Sequence, residues 1–268
     1  MLKVTRRFAA LTLGAVLAAA TLPAQAFAAE KVKLGVIGGE EEEIAEVVKK
    51  VAAGNGLEVD IVTFADYSLP NEALNRGDLD ANAFQHKPYL DAQIASRGYK
   101  IVPIGFTIVQ PIGFYSRSIK SLDELKEGAA IGIPNDPSNG ARALKLLADK
   151  GLIKLKAGVA GDVSVLDIIE NPKKVVFKEL DAALIAKQLD DLAGAVINTT
   201  YALGAGIDPV KDAIVQESRT NNPYGNFIAV REQDKDKPEL KKLVDAYQSK
   251  EVADFLATRF KGSVLPAW

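Results

Sequence analysis

Ala81-Asn82-Ala83-Phe84-Gln85-His86-Lys87-Pro88-Tyr89 is the most telling stretch of this 268-residue chain, and it holds the only histidine. Two aromatics and two polar amides crowd around that imidazole. Lys87-Pro88 marks a helix start, because proline is tolerated at the first helical position. A histidine set between Phe84 and Tyr89 reads as the wall of a small-molecule pocket.

Working outward, apolar strand-like runs alternate with helical spacing. Residues 32–37 read as a strand. Residues 41–53 carry Ile44, Val47, Val48 and Val51 at helical intervals, and residues 57–64 form the next strand. Short and longer helices are predicted over 71–75 and 88–97, the second stopped by Gly98, and a strand over 101–109. The pattern then restarts with a strand over 131–134 and a helix over 140–150. Apolar segments follow at 164–169 and 175–180, then a helix over 182–189 and strands over 193–197 and 227–230. Two amphipathic helices, 238–248 and 251–260, close the chain. Such alternation predicts an α/β architecture with mainly parallel sheets. Its length suits two lobes with a ligand cleft between them, at the carboxyl ends of strands.

The first 28 residues are set apart. Lys3, Arg6 and Arg7 precede an apolar run over 8–22, and Ala24, Ala26 and Ala28 follow. This is the pattern of a cleaved secretory signal peptide, and the run is short of the roughly 20 residues a membrane span needs. Cleavage after Ala28 takes three positive charges from a formal net charge of −2, leaving −5 on 240 residues. No segment is basic enough for a nucleic-acid surface. Cysteine is absent, which excludes disulfides, thiol nucleophiles, zinc-thiolate sites and iron–sulfur clusters.

Catalytic readings find little. His86 has no G-x-S-x-G companion, Gly38-Gly39 is too short for a phosphate loop, and no metal-ligand spacing occurs. Glu40 to Glu43 reads as a solvated first helical turn, favoured by the helix dipole. A binding protein that is not an enzyme, with no metal and no cofactor, is therefore expected.

Binding residues are easier to nominate. In Pro134-Asn135-Asp136-Pro137-Ser138-Asn139-Gly140-Ala141-Arg142, a helix N-terminus with Arg142 in its first turn could grip a carboxylate; a surface ion pair is the plainer alternative. Asn198 and Asn226 flank apolar strands and could meet the polar groups of a zwitterion, or serve as caps and turns. Tyr67, Phe84 and Tyr89, with His86 beside them, could line an apolar slot or simply pack the core.

Several segments together carry a resemblance: Tyr67-Ser68-Leu69-Pro70-Asn71-Glu72-Ala73-Leu74, the run from Asp78 through Tyr89, the run from Pro134 through Arg142, Glu170-Asn171-Pro172, the Asn198-Thr199-Thr200-Tyr201 region, and Asn222-Pro223-Tyr224. In this order the chain resembles the methionine-binding lipoprotein family of periplasmic substrate-binding proteins, the NlpA type. The resemblance implies a two-lobed periplasmic-binding-protein fold, type II-like, of residues 29–112 plus 231–268 in one lobe and 113–230 in the other. It implies a monomer that binds methionine, in the L form, and hands it to ABC permease subunits in the inner membrane. Arg142 would hold the carboxylate, Asn198 and Asn226 the polar groups, and Tyr67, Phe84, His86 and Tyr89 the side chain, with Asn139 nearby. Another amino acid, D-methionine or a short peptide is the alternative ligand, and a surface or adhesion protein with an idle cleft the alternative class. Members of that family carry lipid on a cysteine after the signal peptide. Ala28-Ala29-Glu30 stands there instead, so a free periplasmic protein without lipid is expected.

Overall fold

A computed structural model describes residues 30–268; the signal-peptide assignment lies outside the described residues. The chain opens with β1 (Glu30–Ile37), α1 (Glu40–Gly54) and β2 (Leu57–Phe64). The spacing of Ile44, Ala45, Val48 and Ala52 turns one face of α1 onto β1 and β2, and those four side chains are buried. Next come α2 (Pro70–Arg76), β3 (Ala81–His86), α3 (Lys87–Arg97) and β4 (Ile101–Val109). Gly98 ends α3 in a left-handed conformation, φ 69°, which costs a glycine little.

Residues 110–112 carry the chain across to a second sheet. Its elements are β5 (Gly113–Tyr115), β6 (Ala130–Pro134), α4 (Pro137–Asp149), β7 (Lys154–Leu155), β8 (Ile168–Glu170), β9 (Val176–Leu180), α5 (Ala182–Ile185), β10 (Gly194–Ile197), α6 (Thr199–Gly204) and β11 (Val215–Gln216). Returning, the chain forms β12 (Gly225–Arg231), α7 (Pro238–Tyr247), α8 (Lys250–Phe260) and β13 (Leu265–Pro266).

The first sheet has the order β13-β4-β12-β3-β1-β2 and the second β11-β5-β10-β6-β9, with β7 and β8 as a separate pair. In the first, β1 runs parallel to β2 and β3, whereas β12 lies antiparallel between β3 and β4. In the second, β6 is parallel to β9 and β10, and β5 is antiparallel to β10. The sheets are therefore mixed rather than mainly parallel. Each lobe has its own core: α1, α7 and α8 pack on the first sheet through residues such as Val48, Leu243 and Leu256, and α4 packs on the second through Leu144 and Leu147.

The lobe boundary is corrected as well. Residues 225–230 belong to the first sheet, not to a second lobe of 113–230, because β12 hydrogen-bonds along both edges to β3 and β4. And β3, which periodicity does not reveal, is a central strand with all six residues buried. Its polar positions hide it. Gln85 and Asn71 exchange amide hydrogen bonds (2.6 and 2.8 Å), and Asn82 donates to Asn71 Oδ1 at 3.0 Å. This network satisfies groups whose burial would otherwise be costly.

Candidate functional site

The crossings place a cavity between the two sheets. Tyr67, Phe84, His86, Tyr89, Asn139, Arg142, Asn198 and Asn226 all line it, so the structure brings together every residue nominated from the sequence. Gln85, Gln110 and Thr199 complete the wall.

The apolar end is an aromatic box. Tyr67 stands 5.9 Å from Phe84 and 6.0 Å from Tyr89, centroid to centroid, and Phe84 meets Tyr89 edge-on at 5.8 Å. The Tyr89 hydroxyl donates to the Tyr67 carbonyl at 2.8 Å, which fixes the corner. Tyr201, not nominated, closes it from the other lobe at 4.9 Å from Tyr67.

At the polar end the hydrogen bonds run in one connected chain. His86 is the N-cap of α3: its Nδ1 accepts from the Tyr89 amide at 3.2 Å. The ring proton therefore sits on Nε2 and is donated to Asn139 Oδ1 at 3.2 Å. Asn139 Nδ2 points at the Asp136 carboxylate, which fixes the orientation of that amide. Asn198 Nδ2 then donates to the same Asn139 Oδ1 at 3.0 Å. Asn198 Oδ1 is thereby left as a buried acceptor with no partner among the described residues. From β12, Asn226 Nδ2 donates to the Phe84 carbonyl at 3.1 Å, leaving Oδ1 as its acceptor. Burial, and then the charge of Arg142, push His86 down to about 3, so its ring is neutral at pH 7.

Arg142 differs from expectation in place and company. Helix α4 begins at Pro137, not Gly140, with Asp136 as its N-cap accepting from the Asn139 amide at 2.9 Å. Arg142 is thus in the second turn, and the capped N-terminus is not itself the anion site. The guanidinium is 4% exposed. Its Nε and Nη2 grip Glu217 at 2.8 and 2.6 Å, Nη2 also donates to the Gln110 carbonyl at 2.8 Å, and the Tyr224 ring lies 4.1 Å from its carbon. A planar fork held on three sides is pre-oriented, and Nη1 remains for a ligand oxygen.

Glu217, Tyr224 and Gln110 are functional candidates that sequence reasoning missed. Tyr224 sits in the quoted Asn222-Pro223-Tyr224 segment, and Gln110 precedes a proline at the lobe crossing. Glu217 lies in a polar stretch with no pattern to single it out.

The glutamate run is the other correction. Glu42 and Glu43 are exposed, but Glu40 and Glu41 are 4% and 3% exposed. Gln110 donates to Glu40 Oε1 at 2.8 Å, and Glu41 Oε2 caps the Ile37 amide at 2.9 Å. Burial holds both carboxyls above the usual range, and Glu40 adds repulsion at Glu41. A raised carboxyl means the native state binds more protons than the unfolded chain above about pH 4.5. Stability from this source is complete below that value and is lost as pH rises toward the native-state value. Glu41→Gln keeps an acceptor for Ile37 and removes the titration. It is expected to unfold at higher denaturant than wild type near pH 8, with the advantage shrinking toward pH 4.5, in urea melts.

A family model described as NlpA lipoprotein matches residues 32–268. The chain belongs to the NlpA lipoprotein family. Within it, the chain is 52% identical over 240 residues to the D-methionine-binding lipoprotein MetQ of Escherichia coli K12, covering 88% of each. It is 50% identical over 241 residues to outer membrane lipoprotein 3 of Mannheimia haemolytica, covering 90% of this chain and 91% of that one. A nutrient binding protein from Burkholderia cenocepacia, solved bound to methionine, superposes with a TM-score of 0.87 at 54% identity. That match covers 88% of this chain and all of the other. The NlpA-family assignment establishes the two-lobed α/β binding-protein fold.

It also corrects one expectation. A free periplasmic protein without lipid was inferred from the lack of cysteine, but the family and these relatives are lipoproteins by name, which overturns that inference. The missing thiol states only which attachment chemistry this chain's side chains do not supply.

Proposed function

We propose that this protein is the substrate-binding component of an ABC importer, that it binds methionine in the interlobe cavity, and that it releases the ligand unchanged to permease subunits. The observation that carries this reading is the division of one cavity into an aromatic box and a polar end built on Arg142. The carboxylate lies against Arg142 Nη1. The ammonium is met by Asn198 Oδ1 and Asn226 Oδ1, two acceptors on opposite lobes. The thioether packs among Tyr67, Phe84 and Tyr89, where sulfur–aromatic contacts add about 0.3–1.5 kcal/mol each. His86 acts through Asn139 by orienting Asn198. We assign the lobes as 30–109 plus 225–268 and 113–216, joined by two crossings, and the protein acts as a monomer.

The magnitudes suffice. Each charge-assisted hydrogen bond contributes about 1.5–3 kcal/mol net, and burying a methionine side chain contributes about 1.5–3. A few such contributions, less the cost of ordering, reach the roughly −8 kcal/mol of micromolar binding. Because the acceptors and the arginine come from both lobes, ligand favours the closed arrangement, and the closed shape is what a permease can read.

The deciding experiment is calorimetric titration of L- and D-methionine, separately, into protein unfolded, stripped of ligand and refolded. Saturable one-to-one binding at micromolar affinity or better is expected for methionine, and comparing the isomers identifies the preferred one. Protein that is folded by circular dichroism yet gives no heat with either isomer overturns the reading.

A further inference from the structure

Among the residues lining the cavity, Arg142 is the one that carries charge at pH 7, since His86 is neutral and the rest are amides, hydroxyls and aromatics. A lone buried guanidinium attracts any carboxylate, and it repels an ammonium held a few ångströms away. Such a site would favour a plain carboxylic acid over an amino acid with the same side chain. Yet this guanidinium is not alone.

Glu217 reaches it from the returning crossing. Oε1 accepts from Arg142 Nε, and Oε2 accepts from Arg142 Nη2. Oε2 also accepts from the Ile112 amide at 3.1 Å and from Asn222 Nδ2 at 3.0 Å. Four donors converge on this carboxyl, which suits an acceptor-only carboxylate and not an amide. Glu217 does not line the cavity, and its side chain is 12% exposed. Asp136 and Glu40, the other acidic groups nearby, stand behind Asn139 and Gln110 and bond to those amides. Glu217 is therefore the acid whose charge bears directly on Arg142.

We propose that Glu217 is a specificity-determining positioning residue: by pairing with Arg142 behind the cavity wall it neutralises the site's fixed charge, so that the site selects a zwitterion over an anion bearing the same side chain. The inference rests on the amino-acid reading above. The Arg142 fork keeps Nη1 for the ligand carboxylate, while the field reaching the ligand ammonium is that of a paired dipole instead of a bare cation.

The test compares methionine with 4-methylthiobutanoate, which keeps the carboxylate and thioether and lacks the amine. Both are titrated into wild type, Glu217→Gln, Glu217→Ala and Glu217→Asp, each checked for a cooperative melt. Wild type should prefer methionine by at least about a hundredfold, and the two neutral variants should narrow that ratio by about tenfold or more. Glu217→Asp, which keeps the charge, should recover most of the preference. If the neutral variants weaken both ligands equally and leave the ratio unchanged, Glu217 only holds Arg142 in shape and the inference fails. Wild-type affinities within about tenfold of each other overturn it without any variant. Wild type that binds neither compound sinks the amino-acid reading itself, a result distinct from binding without discrimination.

Discussion

Replacing Arg142 by alanine is expected to weaken methionine binding by about 2–5 kcal/mol, thirtyfold to several-thousandfold, with the fold retained. Three losses combine. The ligand carboxylate gives up its charged donor. Glu217, held by two of the four donors around it through Arg142, is left buried with Ile112 and Asn222 alone. The Gln110 carbonyl, at the crossing between lobes, loses its 2.8 Å donor. Arg142→Lys should recover only part of the affinity, because an ammonium cannot span both Glu217 oxygens and the ligand at once. His86→Ala should cost much less, since the imidazole acts on the ligand through Asn139 and Asn198. Titration calorimetry on stripped protein reads all three variants. Wild type and Arg142→Ala giving the same isotherm would remove the arginine from the carboxylate's binding site.

The relation between the sequence and this geometry is uneven, for physical reasons. Helices α1, α4, α7 and α8 show themselves because each buries one stripe on a sheet, so their apolar residues repeat at helical intervals. Strand β3 gives no such signal. Buried on both faces at the sheet centre, it is entitled to a continuous apolar run, but Asn82, Gln85 and His86 interrupt it; Asn71, eleven to fourteen positions away, satisfies the first two, and the Tyr89 amide and Asn139 meet His86. Periodicity sees only local neighbours and cannot anticipate that network. The start of α4 is hidden for a similar reason: Asp136 caps and Pro137 begins the helix, and a proline that opens a helix looks in sequence like one that precedes it.

The cavity residues were nameable because aromatic, amide and arginine groups recur in segments that resemble one family. Their partners were not. Glu217 is 75 positions from Arg142, and Gln110 is 32. Their side chains look like ordinary loop polarity until the two crossings bring them behind the guanidinium. Glu40 and Glu41 failed in the opposite direction: four acids at a helix start have an adequate local explanation in the dipole, and only the packing of Gln110 and Thr200 over that end shows that two of them are inside.

His86 gives the second large effect, on stability as pH falls. In the native state its Nδ1 accepts the Tyr89 amide and its Nε2 proton goes to Asn139, so a second ring proton must displace the α3 cap and add charge near Arg142. Burial and that arginine hold the group at about 3, against 6.5 for the unfolded chain. Between those values the unfolded chain binds more protons than the native state, so stability rises with pH. The contribution is complete above about 6.5 and is lost progressively on acidification, about 2 kcal/mol by pH 5 at about 1.4 kcal/mol per pH unit. Glu40, Glu41 and Asp136, raised by burial, slope the other way, which masks the effect in wild type alone. His86→Asn isolates it, because asparagine is a strong N-cap with no titration in this range. Urea denaturation at pH 7.5 and 5 should show wild type losing about 2 kcal/mol more than His86→Asn over that interval. The acidic groups common to both proteins drop out of that difference. Parallel stability profiles for the two proteins would mean that the native imidazole accepts a proton as readily as an unfolded one, and that Nδ1 is not holding the first turn of α3.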